Sequence, residues 1–155
     1  MFFIIKKMDI IIIKKFDELN LNELYNILKL RSEVFVVEQN CVYQDLDDLD
    51  KTSYHFFIKD KNEEIKSYLR IYEKDEETAQ IGRVLTQIKE RKKGLANKLM
   101  EKGIEFCKNE MKKKKIYLEG QVYCHKFYLN LGFEIISDEF LEDGIPHYKM
   151  MKILK

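Results

Sequence analysis

QIGRVLTQIKERKKGLANKLMEKGIEFCKNEM, residues 80–111, decides how this chain folds. It opens on a short apolar strand, Ile81-Gly82-Arg83-Val84-Leu85, and closes on an amphipathic helix that starts near Gly94. Ala96, Leu99, Met100, Gly103, Ile104, Cys107 and Met111 recur at helical spacing, and Asn97, Lys98, Glu101, Lys102, Glu105 and Lys108 take the other face. Between strand and helix lies the basic turn Arg91-Lys92-Lys93-Gly94-Leu95-Ala96. A helix start leaves backbone N–H groups without partners and carries partial positive charge, and small residues there let a phosphate approach. The stretch therefore reads as a pyrophosphate cradle, or as an ordinary strand–turn–helix with a solvated basic turn. It is neither a Walker loop nor a dinucleotide fingerprint, because Gly-Lys-Ser/Thr and G-x-G-x-x-G are both absent.

The bulk properties narrow the class. A chain of 155 residues with 45% apolar and 35% charged side chains is expected to form one soluble globular domain. Net charge is +1, so no global electrostatic attraction to nucleic acid is expected. The run Lys112 to Lys115 reads as a solvated helix end. The 3 cysteines, without C-x-x-C spacing, point to reduced thiols in a cytoplasm and to no zinc site. No apolar run is long enough to span a membrane. Lys6, Lys7 and Asp9 break the opening MFFIIKKMDIIII, so residues 1–7 read as an extension, with Met8 an alternative start.

Taken in order, Ile10 to Lys15 reads as a buried first strand. Asn20 and Glu23 form a capping box for a helix expected to turn Leu21, Leu24, Tyr25, Leu28 and Val34 or Phe35 inward. Asn40 to Lys51 reads as a solvated acidic loop, lacking the spacing of a calcium loop. Tyr54–Lys59 and Glu64–Tyr72 form a hairpin, Ile116–Gly120 a buried strand, and His125–Asn130 a short helix stopped by Gly132. Phe133–Ile136 and Pro146–Met151 are the last strands, with Asp143-Gly144 as a turn. The order β-α-β-β-β-α-β-α-β-β predicts an α/β fold, a mixed sheet with helices on both faces.

Six segments in this order resemble the ElaA-type branch of the GNAT superfamily of N-acetyltransferases. They are Leu30 to Cys41 with Tyr43-Gln44-Asp45; Ile81-Gly82-Arg83-Val84; Arg91 to Ala96; Tyr117-Leu118-Glu119-Gly120-Gln121; Phe127 to Phe133; and Glu142-Asp143-Gly144-Ile145-Pro146-His147. Arg91, Gly94 and Ala96 stand at the positions of the family's R/Q-x-x-G-x-G/A motif. The chain departs from the pattern with Lys92-Lys93 for arginine-glycine, Val42 for proline and Gly120 for alanine.

The resemblance implies a GNAT fold with a mostly antiparallel sheet, acetyl-CoA as cosubstrate, and direct acetyl transfer to an amine of a small molecule or peptide. Arg91, Lys92, Lys93, Gly94, Leu95, Ala96 and Asn97 are expected to hold the pyrophosphate, and Val84, Leu85 and Thr86 to pair with the pantetheine arm. Tyr128 is the expected general acid, since a phenol of pKa about 10 is protonated at neutral pH. Glu119 is the first candidate base, with Glu38 and His147 behind it. Arg70 and Arg83 either recognise an acidic group of the acceptor or pair with Glu38 or Asp45. The Tyr43–Asp50 loop is expected to wall the acceptor site, its acidity favouring a cationic amine. The competing expectations are a silent CoA-binding or partner-binding module and an enzyme like the acyl-homoserine-lactone synthases. A monomer and a homodimer are equally compatible with the sequence.

Overall fold

The computed structural model describes residues 9–155, so the expected extension 1–7 and the alternative start at Met8 lie outside the described residues. The strands are β1 (Ile12–Lys15), β2 (Tyr54–Lys59), β3 (Ile65–Glu73), β4 (Thr78–Thr86), β5 (Lys115–Gln121), β6 (Glu134–Ile135), β7 (Phe140–Glu142) and β8 (Ile145–Ile153). The α-helices are α1 (Leu21–Arg31), α2 (Leu95–Asn109) and α3 (His125–Asn130). One sheet runs β1-β2-β3-β4-β5-β8-β6, with β7 also paired to β8. Every pairing is antiparallel except β4 with β5. This is the expected mixed, mostly antiparallel sheet, with β7 as the strand that the sequence pattern did not separate.

Side chains alternate along a strand, so neighbouring residues serve opposite faces. Phe56, Ile58, Leu69, Ile71 and Ile81 turn to α2 and α3, where Leu95, Leu99, Met100, Cys107 and Phe133 complete the larger core. Phe57, Tyr68 and Leu85 turn the other way, against Ile27 and Leu30 of α1. Helices thus cover both faces.

The capping box forms: the Glu23 N–H donates to Asn20 Oδ1 at 2.8 Å, and the Asn20 N–H to Glu23 Oε1 at 3.0 Å. The inward face of α1 is only partly the expected one: Val34 just beyond it is buried and Leu24 and Leu28 are half-buried. Leu21 and Tyr25 are 85% and 70% exposed, whereas Glu23, Ile27, Leu30 and Arg31 are buried. The helix rotates so because Glu23 meets Lys14 at 2.8 Å and Lys59 at 3.2 Å. A buried carboxylate is tolerated only when paired in this way. Past Arg31 the backbone continues as a π-helical segment, Ser32–Glu38.

Two further expectations are corrected. β1 is an edge strand and only half buried, with Ile10 exposed. Lys113, in the lysine run, is buried: its Nζ donates to the Asp75 and Glu76 carbonyls at 3.0 and 2.9 Å and meets Glu73 at 3.2 Å. No described helix is long and apolar enough to cross a membrane.

Candidate active site

The site begins where two strands part. β4 and β5 pair only over Thr78–Gln80 with Lys115–Tyr117, and then diverge. On its other side β4 slips in register against Tyr68–Arg70, and Arg83 sits there with φ of 52°. A bulge of this kind bends its strand and re-aims its side chains. Beyond Gln80 the β5-side edge of β4 is therefore open, including Val84, Leu85 and Thr86. Leu118 and Glu119 lie just past the last pair on the opposite strand. A cavity of about 1190 Å³ fills the gap and extends from the start of α2 to the β7–β8 hairpin.

At one end stands the basic turn. Gly94 precedes α2 with φ of 79°, a left-handed conformation natural to glycine, and a Cβ built there would meet nothing within 4 Å. No side chain caps this helix and no acidic residue lies in its first turn. The first helical bond runs from the Lys98 N–H to the Gly94 carbonyl at 3.1 Å, which leaves the N–H groups of Leu95, Ala96 and Asn97 outside the helical ladder. These features fit an anion such as the CoA pyrophosphate.

Two sequence candidates meet here. Arg91 donates from Nη1 and Nη2 to the two Glu38 oxygens at 2.6 and 2.7 Å, and from Nε to the Thr86 carbonyl at 3.0 Å. The guanidinium holds the Glu38 carboxyl below the usual carboxylate range, which makes Glu38 a poor proton acceptor. Lys92 and Ala96 line the cavity, and Leu95 does so while packed into the larger core. Lys93 instead turns back to Glu90 at 3.0 Å and is absent from the cavity wall.

Midway, Tyr128 reaches in from α3. Its ring packs edge-on against Phe127 and Phe133, with centroids 5.1 and 6.2 Å away. It lies against Gly120, where an added Cβ would stand 2.9 Å from Tyr128 Cε2. Only 8% of Tyr128 is exposed, and its hydroxyl has no hydrogen-bond partner among the described residues. Burial pushes the phenol well above its ordinary value, so it stays protonated across the physiological range. Cys124 lies in the same wall, its thiol also raised by burial.

At the far end β5, β8 and β7 bring together residues distant in sequence. The Tyr117 hydroxyl donates to Glu119 Oε1 at 2.8 Å. His147 Nδ1–H donates to the Ile145 carbonyl at 2.7 Å, and its Nε2 faces Glu142 Oε2 at 3.3 Å. Burial, followed by the neighbouring Glu119 carboxyl, raises Glu142 to about 7. Glu142 is the titratable group that sequence reasoning passed over. Its signal was available in the Asp143-Gly144 turn, which fixes Glu142 opposite Ile145 and beside the strand that carries His147.

Below this end lies a closed ion network. Arg31 donates to Asp45 at 2.9 Å and Asp50 at 2.7 Å. Arg70 donates to both oxygens of Asp47 at 2.8 and 2.6 Å and to Asp50 at 3.0 Å. Arg83 meets Asp45 at 2.9 Å and Asp47 at 3.3 Å, and the Tyr43 hydroxyl donates to Asp45 at 2.8 Å. This overturns the solvated acidic loop, since Asp45 and Asp50 are buried and their charge is met by arginines. Of the roles considered for Arg70 and Arg83, the pairing of Arg83 with Asp45 forms, while Arg70 takes Asp47 and Asp50 instead. Both are committed to aspartates, Glu38 pairs with neither, and Tyr43 is tied to Asp45 while lining the cavity. Among the described residues no group of three or more His, Cys, Asp or Glu is placed to hold a metal ion.

Comparison with known proteins agrees with this geometry. Residues 19–154 match the family described as acetyltransferase (GNAT) domain. A UPF0039 protein of Schizosaccharomyces pombe is 40% identical over 138 residues, covering 88% of this chain and 92% of its own. Protein ElaA of Escherichia coli is likewise 40% identical over 138 residues, covering 87% and 90%. The crystal structure of ElaA superimposes with a TM-score of 0.86 at 37% identity, covering 94% of this chain and 99% of that one. An acyl-CoA N-acyltransferase from Pseudomonas aeruginosa gives a TM-score of 0.87 at 34% identity, with the same coverage.

Proposed function

The chain belongs to the GNAT acetyltransferase family, and on that premise we propose that it transfers the acetyl group of acetyl-CoA to an amine by direct attack, with both substrates bound at once. The observation that carries this reading is the unpartnered Tyr128 hydroxyl, facing one cavity that also contains the uncapped start of α2 and the open edge of β4. The ring is packed in the core while its hydroxyl opens to the cavity without a partner among the described residues, which leaves it available to a ligand.

In this reading the N–H groups of Leu95, Ala96 and Asn97 hold the pyrophosphate oxygens, with Lys92 adding charge. The open edge of β4 at Val84, Leu85 and Thr86 takes the pantetheine arm as an added strand. A main-chain N–H of that stretch polarises the thioester carbonyl, and Tyr128 hydrogen-bonds the departing thiolate and delivers its proton. The acceptor enters from the end where Tyr43, Glu119, Glu142 and His147 stand. Arg70 and Arg83 act on it indirectly, by holding the loop that carries Tyr43. The unpaired cysteines Cys41, Cys107 and Cys124 suit a reducing cytoplasmic setting.

Tyr128→Phe tests the reading, because it removes one oxygen and leaves the packing of the ring. Loss of a general acid costs about 100-fold or more in turnover. We expect a fall of that order with acetyl-CoA affinity nearly unchanged. Unchanged turnover would remove Tyr128 from the mechanism.

A further inference from the structure

We propose that Glu142, held against Glu119 at the acceptor end of the cavity, takes the proton that a positively charged primary alkylamine must lose before it attacks. The proposal rests on the transferase reading and gives it an acceptor class. It begins from the sheet order β5-β8-β7, which gathers three strands into one acid–base patch. His147 pairs with Gln121 of β5 on one side and Phe140 of β7 on the other. The two-residue turn at Asp143 and Gly144, with φ of 49° and 78°, sets Glu142 opposite Ile145.

Every group that faces Glu142 bears on its proton. From β5, Glu119 presents a second carboxyl within hydrogen-bond reach, and from the turn Asp143 adds another negative charge. From β8, His147 Nε2 stands 3.3 Å away. From β4, Arg83 is the cation that opposes the effect, but Asp45 and Asp47 already meet its charge. Tyr72 completes the wall, and the Tyr117 hydroxyl donates to Glu119 at 2.8 Å. Two carboxyl groups in contact do not both ionise readily, so they share a proton. His147 donates its Nδ1–H to Ile145, so its Nε2 can accept from a protonated Glu142 at 3.3 Å, which assigns the shared proton to Glu142. Burial and the neighbouring carboxyls bring its titration to about 7, where a base must operate.

The protons then balance. An entering ammonium supplies the positive charge that the pair lacks, and the shared proton leaves to solvent through the half-exposed edge of Glu142. Glu142 then takes one proton from the ammonium, and the neutral nitrogen attacks the thioester carbonyl. The C–N bond forms and the C–S bond breaks. A second nitrogen proton replaces the one that Tyr128 gives to the sulfur, and the third remains on the amide. An aromatic amine, already neutral at this pH, has no use for the pair. The same cavity wall contains the unpartnered Tyr128 hydroxyl, a second and independent sign that it is built for a ligand.

The test compares the unaltered protein with Glu142→Gln and Glu119→Gln, using acetyl-CoA, simple primary alkylamines and a thiol readout across pH. The unaltered protein should show an acidic limb in kcat/KM near pH 7. Glu142→Gln should lose about 100-fold at that pH, the deficit shrinking towards the amine's own pKa of about 10, where solvent supplies neutral amine. Glu119→Gln should move the limb down towards ordinary carboxylate values. A second readout needs no turnover. A carboxyl raised in the folded state contributes stability that is present at low pH and lost as pH rises through about 7. Glu142→Gln should therefore match the unaltered Tm at pH 4, below the ordinary carboxyl value, and exceed it at pH 8. An acidic limb unmoved in both variants, with thiol release intact, overturns the base assignment alone. Thiol release absent from the unaltered protein overturns the transferase reading and the base role with it. Tm curves that fail to separate at pH 8 overturn the shared proton itself.

Discussion

Arg31 is fully buried near the end of a helix, a position where an unpaired guanidinium would not be tolerated. It survives there because Asp45 and Asp50 reach it at 2.9 and 2.7 Å, and those aspartates also meet Arg83 and Arg70. Removing one partner of such a network strands the others. Arg31→Leu should lower stability by about 3–5 kcal/mol in urea denaturation, far more than an exposed ion pair contributes. A loss below about 1 kcal/mol would mean that Asp45 and Asp50 find solvent instead. At this scale the sequence was partly legible. Tyr128 stood out through its motif and Glu119 through its strand. Glu142 did not, because its chemistry comes from a carboxyl on a strand that is distant in sequence. The acidity of the Tyr43–Asp50 loop misled for the same reason: a run of aspartates carries no sign of the arginines it will meet.

The basic turn and α2 act together as one element. Its apolar period is clean, and Leu99, Met100, Gly103 and Cys107 are buried as the spacing requires. The helix start depends on Gly94, whose φ of 79° is strained for any residue with a Cβ. Space is open around it, so Gly94→Ala isolates the conformational cost, about 1–2 kcal/mol. Thermal unfolding should register this as a fall of about 2–4 °C for each kcal/mol in a domain of this size. Acetyl-CoA affinity should fall as well, since a rearranged turn no longer presents its N–H groups together. Unchanged affinity would place the pyrophosphate elsewhere. α1 shows the opposite case. Its apolar residues lie on more than one side, and burial of Glu23 and Arg31 settles the rotation. Hydrophobic period cannot register an element whose inner face is partly ionic.

For the whole molecule, what matters is that one sheet is split without being broken. β4 and β5 stay paired at one end and part at the other, so a single core supports a cavity that passes between them. The fold class and the order of elements along the chain could be anticipated, β7 apart, because the other strands carried their own pattern and the segments fell in a familiar sequence. The split could not be read from any one strand. It arises from where pairing stops and from the bulge at Arg83, both decided between strands. The split gives the chemistry its form: cofactor cradle at one end, phenol midway, paired carboxyls at the other. The most direct test is to combine the protein with acetyl-CoA and a panel of primary alkylamines, aromatic amines and peptide N-termini, following free thiol and the mass of each acceptor. The account predicts thiol release only when acetyl-CoA and an alkylamine are both present, matched by an acetylated product. Tight binding of acetyl-CoA with no acetylated amine of any class would contradict it and leave a CoA-binding module in its place.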